Sequence, residues 1–338
     1  MATYKGIQGL RVQNLSSDPP ASVASGQLWY NSGSGSFKIG IAGAAAWSSG
    51  GSTSETKAWI PAAGTQTAAI MCGGLQVPPT NPWGTGTGHT ETYDGSTWTE
   101  VSDLTTARGS GAPSSSGTQT ATLVAGGKIT DETLQSITET YNGTAWTEIG
   151  DLNTARSYLG GSGTSTAALA IGGNISGDPY PDIVELFNGT AWTEVADLNT
   201  GRRGPVCVGT QTATIATSGN PDPTTACEIY NGTAWTEVAD INVGRSSGAG
   251  GGTTTSCLYI GGQGPGESVT AIVEQYNGTS WTETTNITTG VGASGVGGIQ
   301  SALVAGCGWN SGAGAGTGVA ISQEWNDPVY SIETVTVS

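Results

Sequence analysis

The sequence predicts an all-β fold: a six-bladed β-propeller over residues 55–338, preceded by a separate segment, residues 1–54, that holds a short β-hairpin. Three observations predict it. Tryptophan recurs at Trp98, Trp146, Trp192, Trp235 and Trp281, with gaps of 48, 46, 43 and 46 residues. Five residues before each stands another aromatic ring: Tyr93, Tyr141, Phe187, Tyr230 and Tyr276. An apolar run closes six times on Gly-Gly or a near form of it, at Gly73-Gly74, Gly126-Gly127, Gly172-Gly173, Ser218-Gly219, Gly261-Gly262 and Cys307-Gly308. A period of this size belongs to the four-stranded blades of propellers.

Each unit reads as four strands, a to d. Strand a follows a basic residue, as in Ser157 to Gly161, and the a–b turn is Gly-Thr-x-Thr. Strand b is a continuous small and apolar run, such as Ala167 to Ile171, as expected of a strand covered on both faces. Strands c and d are the Glu-x-Tyr and Ala-Trp-Thr-Glu-Val segments. They are joined by Asn142-Gly143, Asn188-Gly189, Asn231-Gly232 and Asn277-Gly278. Asn-Gly is a strong hairpin signal because both residues tolerate positive φ. The same residues fit a glycosylation acceptor pattern, but turn geometry already explains their position.

Two charged columns accompany the rings. Glu91, Glu139, Glu185, Glu228 and Glu274 stand seven residues before each Trp, and Arg108, Arg156, Arg202 and Arg245 ten after the first four. Lys57 occupies the basic column in the first unit and Val291 in the last. These columns are expected to form ion pairs or backbone hydrogen bonds between blades, with a carboxylate ring around Ca²⁺ as the alternative. A third column, Glu100, Glu148, Glu194, Glu237 and Glu283, repeats too evenly for a catalytic pair. In the last unit the aromatic pair is read as Trp325 and Tyr330. Trp47 lies 17 residues before Gly64, as Trp146 lies 17 before Gly163. It is therefore an extra d-like strand, followed by a Gly/Ser linker from Ser48 to Ser54.

The order Gly-Gly, Glu-x-Tyr-Asn-Gly-Thr-x-Trp-Thr, Asp-Leu-x-Thr-x-Arg resembles the kelch motif over residues 55–338. That resemblance implies a propeller but no particular function. The copper oxidase of that family needs Tyr and His ligands, and this chain has a single histidine. Residues Val12 to Ile39, with Asp18-Pro19-Pro20 and Gly26-Gln27-Leu28-Trp29-Tyr30-Asn31, resemble a motif near the start of tail-fibre and other virion proteins of tailed bacteriophages. Gln27 to Tyr30 and Ser36 to Ile41 read as a hairpin. Trp29, Tyr30 and Phe37 are its expected docking residues.

Composition bounds the function. Gly contributes 56 of 338 residues, and charged residues only 11%; 11 Trp and 10 Tyr argue for a packed chain. The net charge of −16 disfavours nucleic acid and anionic lipid as partners. No apolar run reaches the length of a membrane helix, and the N-terminus lacks the pattern of a signal peptide. Five cysteines without fixed spacing suggest buried thiols in a reduced protein. No metal centre, cofactor or catalytic residue is expected, since one histidine is too thin a ligand set.

What departs from the repeat is the b–c connection, which carries Trp83, His89, Tyr180 and Trp309. Loops on a rigid scaffold carry binding, so these four are the candidate binding residues. Partner contacts are expected on the b–c/d–a face, where the N-terminal segment also enters. The expected protein is a virion component, oligomeric in the particle. It would bind other virion proteins and a host cell-surface glycan or protein. The alternatives are a purely structural decoration and a propeller enzyme acting on polysaccharide.

Overall fold

The computed structural model describes residues 12–20, 24, 26–43, 45–76, 85–129, 133–221, 224–310, 317–327 and 330–335. The chain forms two compact units, Trp47–Trp325 and the pairing of Met1–Ala46 with Asn326–Ser338. The expected boundary at residue 54 thus shifts to 46, and the last residues leave the larger unit. Among the described residues nearly all regular structure is β-strand, with a 3₁₀ turn at Pro265–Glu267. Among the described residues no helix is long and apolar enough to cross a membrane.

Among the described residues there are seven four-stranded sheets, against the six repeats counted in the sequence. Six of them follow the repeats, and the seventh lies in the smaller unit. The third repeat shows the pattern: strands a (Gly160–Thr164), b (Ala167–Ile171), c (Val184–Phe187) and d (Trp192–Glu194) pair antiparallel in that order. The fourth is Val206–Thr210, Ala213–Thr217, Cys227–Tyr230 and Trp235–Val238. Inner strands lie side by side in chain order. Ala112–Pro113 adjoins Gly160–Thr164, then follow Val206–Thr210, Ala249–Thr253 and Gly295–Ile299, and this last adjoins Ala62–Thr65. Between the first and second repeats, Gly64 N donates to Gly117 O at 3.1 Å.

The sheet of the last repeat departs from the sequence reading. Its order is Gly295–Ile299, Ala302–Gly306, Ser322–Asn326 and Ala46–Ser49. The outer strand therefore comes from the beginning of the chain. Trp47 fills the Trp column and Trp325 the aromatic column, with ring centroids 5.3 Å apart. Tyr330 instead begins a strand of the smaller unit, Tyr330–Thr334. The Gly/Ser stretch after Trp47 is tied rather than free: Gly50 N donates to Ser322 O at 2.9 Å and Thr53 N to Ala320 O at 3.0 Å.

The core lies between successive sheets. Phe187 and Trp192 of the third repeat pack on Leu123, Leu152 and Leu159, while Tyr141 and Trp146 of the second pack on Ile70, Cys72 and Leu104. All five cysteines are buried free thiols.

The smaller unit is the sheet Gln13–Leu15, Leu28–Asn31, Ser36–Ala42, Tyr330–Thr334. The expected hairpin is present, with Leu28 opposite Ile39 and Tyr30 opposite Phe37. Trp29 is buried here, and its Nε1 donates to Asp18 Oδ1 at 3.0 Å. It is therefore a core residue of this unit and unsuited to docking. Phe37 is 47% exposed, Leu28 and Ile41 are exposed with it, and Tyr30 lies edge-on to Phe37 at 5.2 Å.

Candidate functional site

The charged columns do form ion pairs. Arg108 binds Glu139, Arg156 binds Glu185 at 3.0 Å, Arg202 binds Glu228, Arg245 binds Glu274 at 2.8 Å, and Lys57 binds Glu91 at 3.0 Å, all buried. Each carboxylate also accepts backbone N–H from the connection that carries its cation, as Glu228 does from Asn199 at 2.8 Å. In the last repeat Val291 removes the cation. Gln323 correspondingly replaces the glutamate and accepts from Thr288 N at 2.9 Å. A buried charge and its partner have been exchanged together, as pairing requires.

Two residues beyond each basic position the backbone turns left-handed. Trp59, Ser110, Tyr158, Gly204, Ser247 and Ala293 have φ between 50° and 65°. Five of these six are not glycine, and each pays about 1–2 kcal/mol for that conformation. The turn sends five of these six N–H groups to the carbonyl of the preceding member of the ring. Ser110 N donates to Trp59 O (2.9 Å), Gly204 N to Tyr158 O (2.8 Å), Ser247 N to Gly204 O (3.2 Å), Ala293 N to Ser247 O (2.5 Å) and Trp59 N to Ala293 O (2.7 Å). These bonds crown one end of the central channel.

Beneath the crown lies a cavity of about 120 Å³, lined among others by Trp59, Ser110, Ser115, Tyr158, Ser247 and Ser294. It has room for roughly four waters at ~30 Å³ each, or for one small polar group. Trp59 Nε1, Ser110 Oγ and Ser115 Oγ are buried atoms with no hydrogen-bond partner among the described residues, and Ser110 is only 5% exposed. Such groups cost about 1–3 kcal/mol each unless something satisfies them.

Aromatic rings and cations flank the mouth. Trp59 meets Tyr158 edge to face at 6.0 Å. Lys128 Nζ is 4.9 Å from the Tyr158 ring centre. The Arg203 guanidinium lies 5.8 Å from Tyr158 and 5.6 Å from Tyr180, within cation–π range. Trp309 packs with Trp59 on Ala58 and Ala293.

Of the four candidate binding residues, then, Trp309 packs beside the lining residue Trp59 and Tyr180 lies against Arg203, which itself lies over the lining residue Tyr158, both from b–c connections. His89 instead faces Glu55, Glu100 and Asp103. Trp83 lies outside the described residues. Sequence reasoning missed Trp59, Tyr158 and Arg203, which sit in d–a connections of ordinary length. Their one signal was an aromatic or a second arginine in columns otherwise filled by small residues, one or two positions past the basic one.

No family model matches this sequence, and no curated protein matches it. Among solved structures, one titled "Structure of YjhT" is similar over 83% of this chain and 99% of its own, with a TM-score of 0.66 and 14% identity. At that identity the likeness is one of fold, and it agrees with the radial four-stranded sheets: the chain is a β-propeller.

Proposed function

We propose that this chain is a binding module of a virion, a six-bladed propeller of the kelch type that engages a host-surface glycan or a neighbouring subunit through the channel mouth. The observation that carries the binding role is the mouth itself. Trp59, Tyr158, Tyr180 and Trp309 offer ring faces, Arg203 offers a cation, and unpartnered Trp59 Nε1 and Ser110 Oγ line the cavity. Rings bring contact area at low entropy cost, and polar groups fix orientation. Six sheets whose inner strands follow one another support six blades.

The virion assignment rests on the resemblance of Val12 to Ile39. The exposed Phe37, Leu28 and Ile41 are its docking surface on other virion proteins. The smaller unit is neutral, with Lys5, Arg11 and Lys38 against Asp18, Asp327 and Glu333, so the whole net charge of −16 falls on Trp47–Trp325. A neutral unit with an exposed apolar face suits attachment, and a strongly acidic unit suits solubility. No cofactor or catalytic step enters this function.

The test compares Trp59→Ala, Tyr158→Ala and Arg203→Ala with Thr144→Ala and Thr190→Ala in the c–d turns, by glycan array and by particle adsorption. The mouth variants should lose at least tenfold in binding while the turn variants keep it. Binding kept equally by all five would place the contact away from the mouth, and no binding by the unaltered protein would leave the structural-decoration alternative. Release of reducing ends from a polysaccharide would point to the enzyme alternative.

A further inference from the structure

Each of the first four repeats ends its outer strand on a Glu and an Asp three residues on, Glu100 and Asp103, Glu148 and Asp151, Glu194 and Asp197, Glu237 and Asp240, and the fifth has Glu283 and Asn286 in the same places. In four of them this pair is a solvated edge. In the first it is joined by His89, the one histidine of the chain, and by Glu55. One ring nitrogen of His89 and one carboxylate oxygen each of Glu100 and Asp103 lie within 4.8 Å of one another. Glu55 Oε1 stands 3.4 Å from His89 Nε2, and Gln76 Nε2 holds the other oxygen of Glu55 at 3.0 Å. His89 Nδ1 is a buried atom without a hydrogen-bond partner among the described residues.

The chemistry of these donors is specific. A carboxylate facing Nε2 fixes the tautomer with its proton on Nε2, and Nδ1 then presents a lone pair. That is the way metal-bound histidines are oriented by a second carboxylate. The backbone around His89 is held as well: Gly73 N donates to its carbonyl at 2.9 Å and Lys57 Nζ at 3.2 Å. Asp103 is placed by accepting Thr90 N at 3.2 Å. Three carboxylates against one imidazole leave an excess of negative charge that a divalent cation neutralises.

We propose that His89, Glu100 and Asp103 bind one divalent transition-metal cation, Zn²⁺ or Mn²⁺, with Glu55 orienting the imidazole. One nitrogen and two oxygens suit such an ion better than Ca²⁺ or Mg²⁺, which take oxygen alone. The exposed side of the site leaves room for water ligands. The site is separate from the channel mouth and stands independently of the binding role given above. It runs against the expectation of no metal drawn from the histidine count.

The experiment is titration of chelator-treated full-length protein with ZnCl₂ and MnCl₂ by calorimetry, with near-ultraviolet dichroism of each apo variant as a folding check. Wild type should take up one equivalent of at least one ion. Glu100→Gln and Asp103→Asn, both exposed positions, and His89→Ala should each weaken it at least tenfold. Glu55→Gln should weaken it about tenfold. Glu148→Gln with Asp151→Asn, the same pair in the next repeat, should change nothing. The proposal is overturned if His89→Ala binds as wild type does, if no saturable equivalent is seen for either ion, or if Ca²⁺ competes as strongly as Zn²⁺.

Discussion

At the scale of single residues, Trp192 shows what the recurring ring does. It is 5% exposed, packs at a tilt on Phe187 with ring centroids 5.1 Å apart and donates from Nε1 to Thr138 Oγ1 at 3.0 Å in the preceding sheet. Trp192→Ala opens a cavity between two sheets and strands Thr138, and should cost about 3–5 kcal/mol. Chemical denaturation checks this, and a near-native midpoint would show the column to be superficial. The cysteines give a second residue-scale outcome. Burial pushes the thiols of Cys72 and Cys207 up to about 12, and those of Cys227 and Cys307 up to about 11. Since the thiolate is the reactive form, a thiol reagent at neutral pH should label none of these four in the folded protein and all of them after unfolding.

At the scale of elements, the a–b turns carry a bond that the repeat pattern did not reveal. Gln119, Gln211 and Gln300 each reach back one sheet and donate to strand carbonyls. Gln119 donates to Tyr93 O at 2.7 Å, Gln211 to Phe187 O, and Gln300 to Tyr276 O at 2.7 Å. Gln211→Ala leaves a strand-end carbonyl without its donor and should cost about 1–3 kcal/mol, read as a shift in melting temperature; an unchanged value would mean water replaces the amide. The strands themselves were legible because each has a strong local cause: alternation or an apolar run, then Gly-Gly or Asn-Gly. The Trp47 strand was legible by spacing alone, but its destination was not, since nothing local says which sheet an outer strand joins. The assignment of Tyr330 to the last repeat failed for the same reason. The left-handed ring was illegible because Trp59 and Tyr158 are residue types that rarely adopt positive φ; the hydrogen-bonded crown imposes it. The mouth was half legible, through Tyr180 and Trp309, because only loops of unusual length stand out from a repeat.

At the scale of the whole molecule, five buried ion pairs recur around the ring, and the carboxylates of two of them bear on its response to acid. In Glu91 and Glu139 burial alone would raise the carboxyl pKa. The Lys57 ammonium with Ser54, and the Arg108 guanidinium with Thr105, outweigh it and hold both below the ordinary 4.5. A depressed carboxylate stabilises the fold fully above its unfolded value, and the contribution is lost as pH falls through the folded one. The melting temperature should therefore drop steeply below about pH 4.5, and Glu139→Gln should flatten part of that slope. A profile unchanged by Glu139→Gln would show that other carboxylates govern it.

The outer strand Ala46–Ser49 has a consequence for synthesis. It leaves the ribosome before any other strand of its sheet, while its partner Ser322–Asn326 is made only after the five other repeats. At about 5–20 residues per second the interval is on the order of tens of seconds. Throughout it the Trp47 strand lacks its partner, and by its end the five sheets of the other repeats are already made. Nascent chains halted before residue 322 should hence be the form of this protein that chaperones hold and that aggregates when they are scarce.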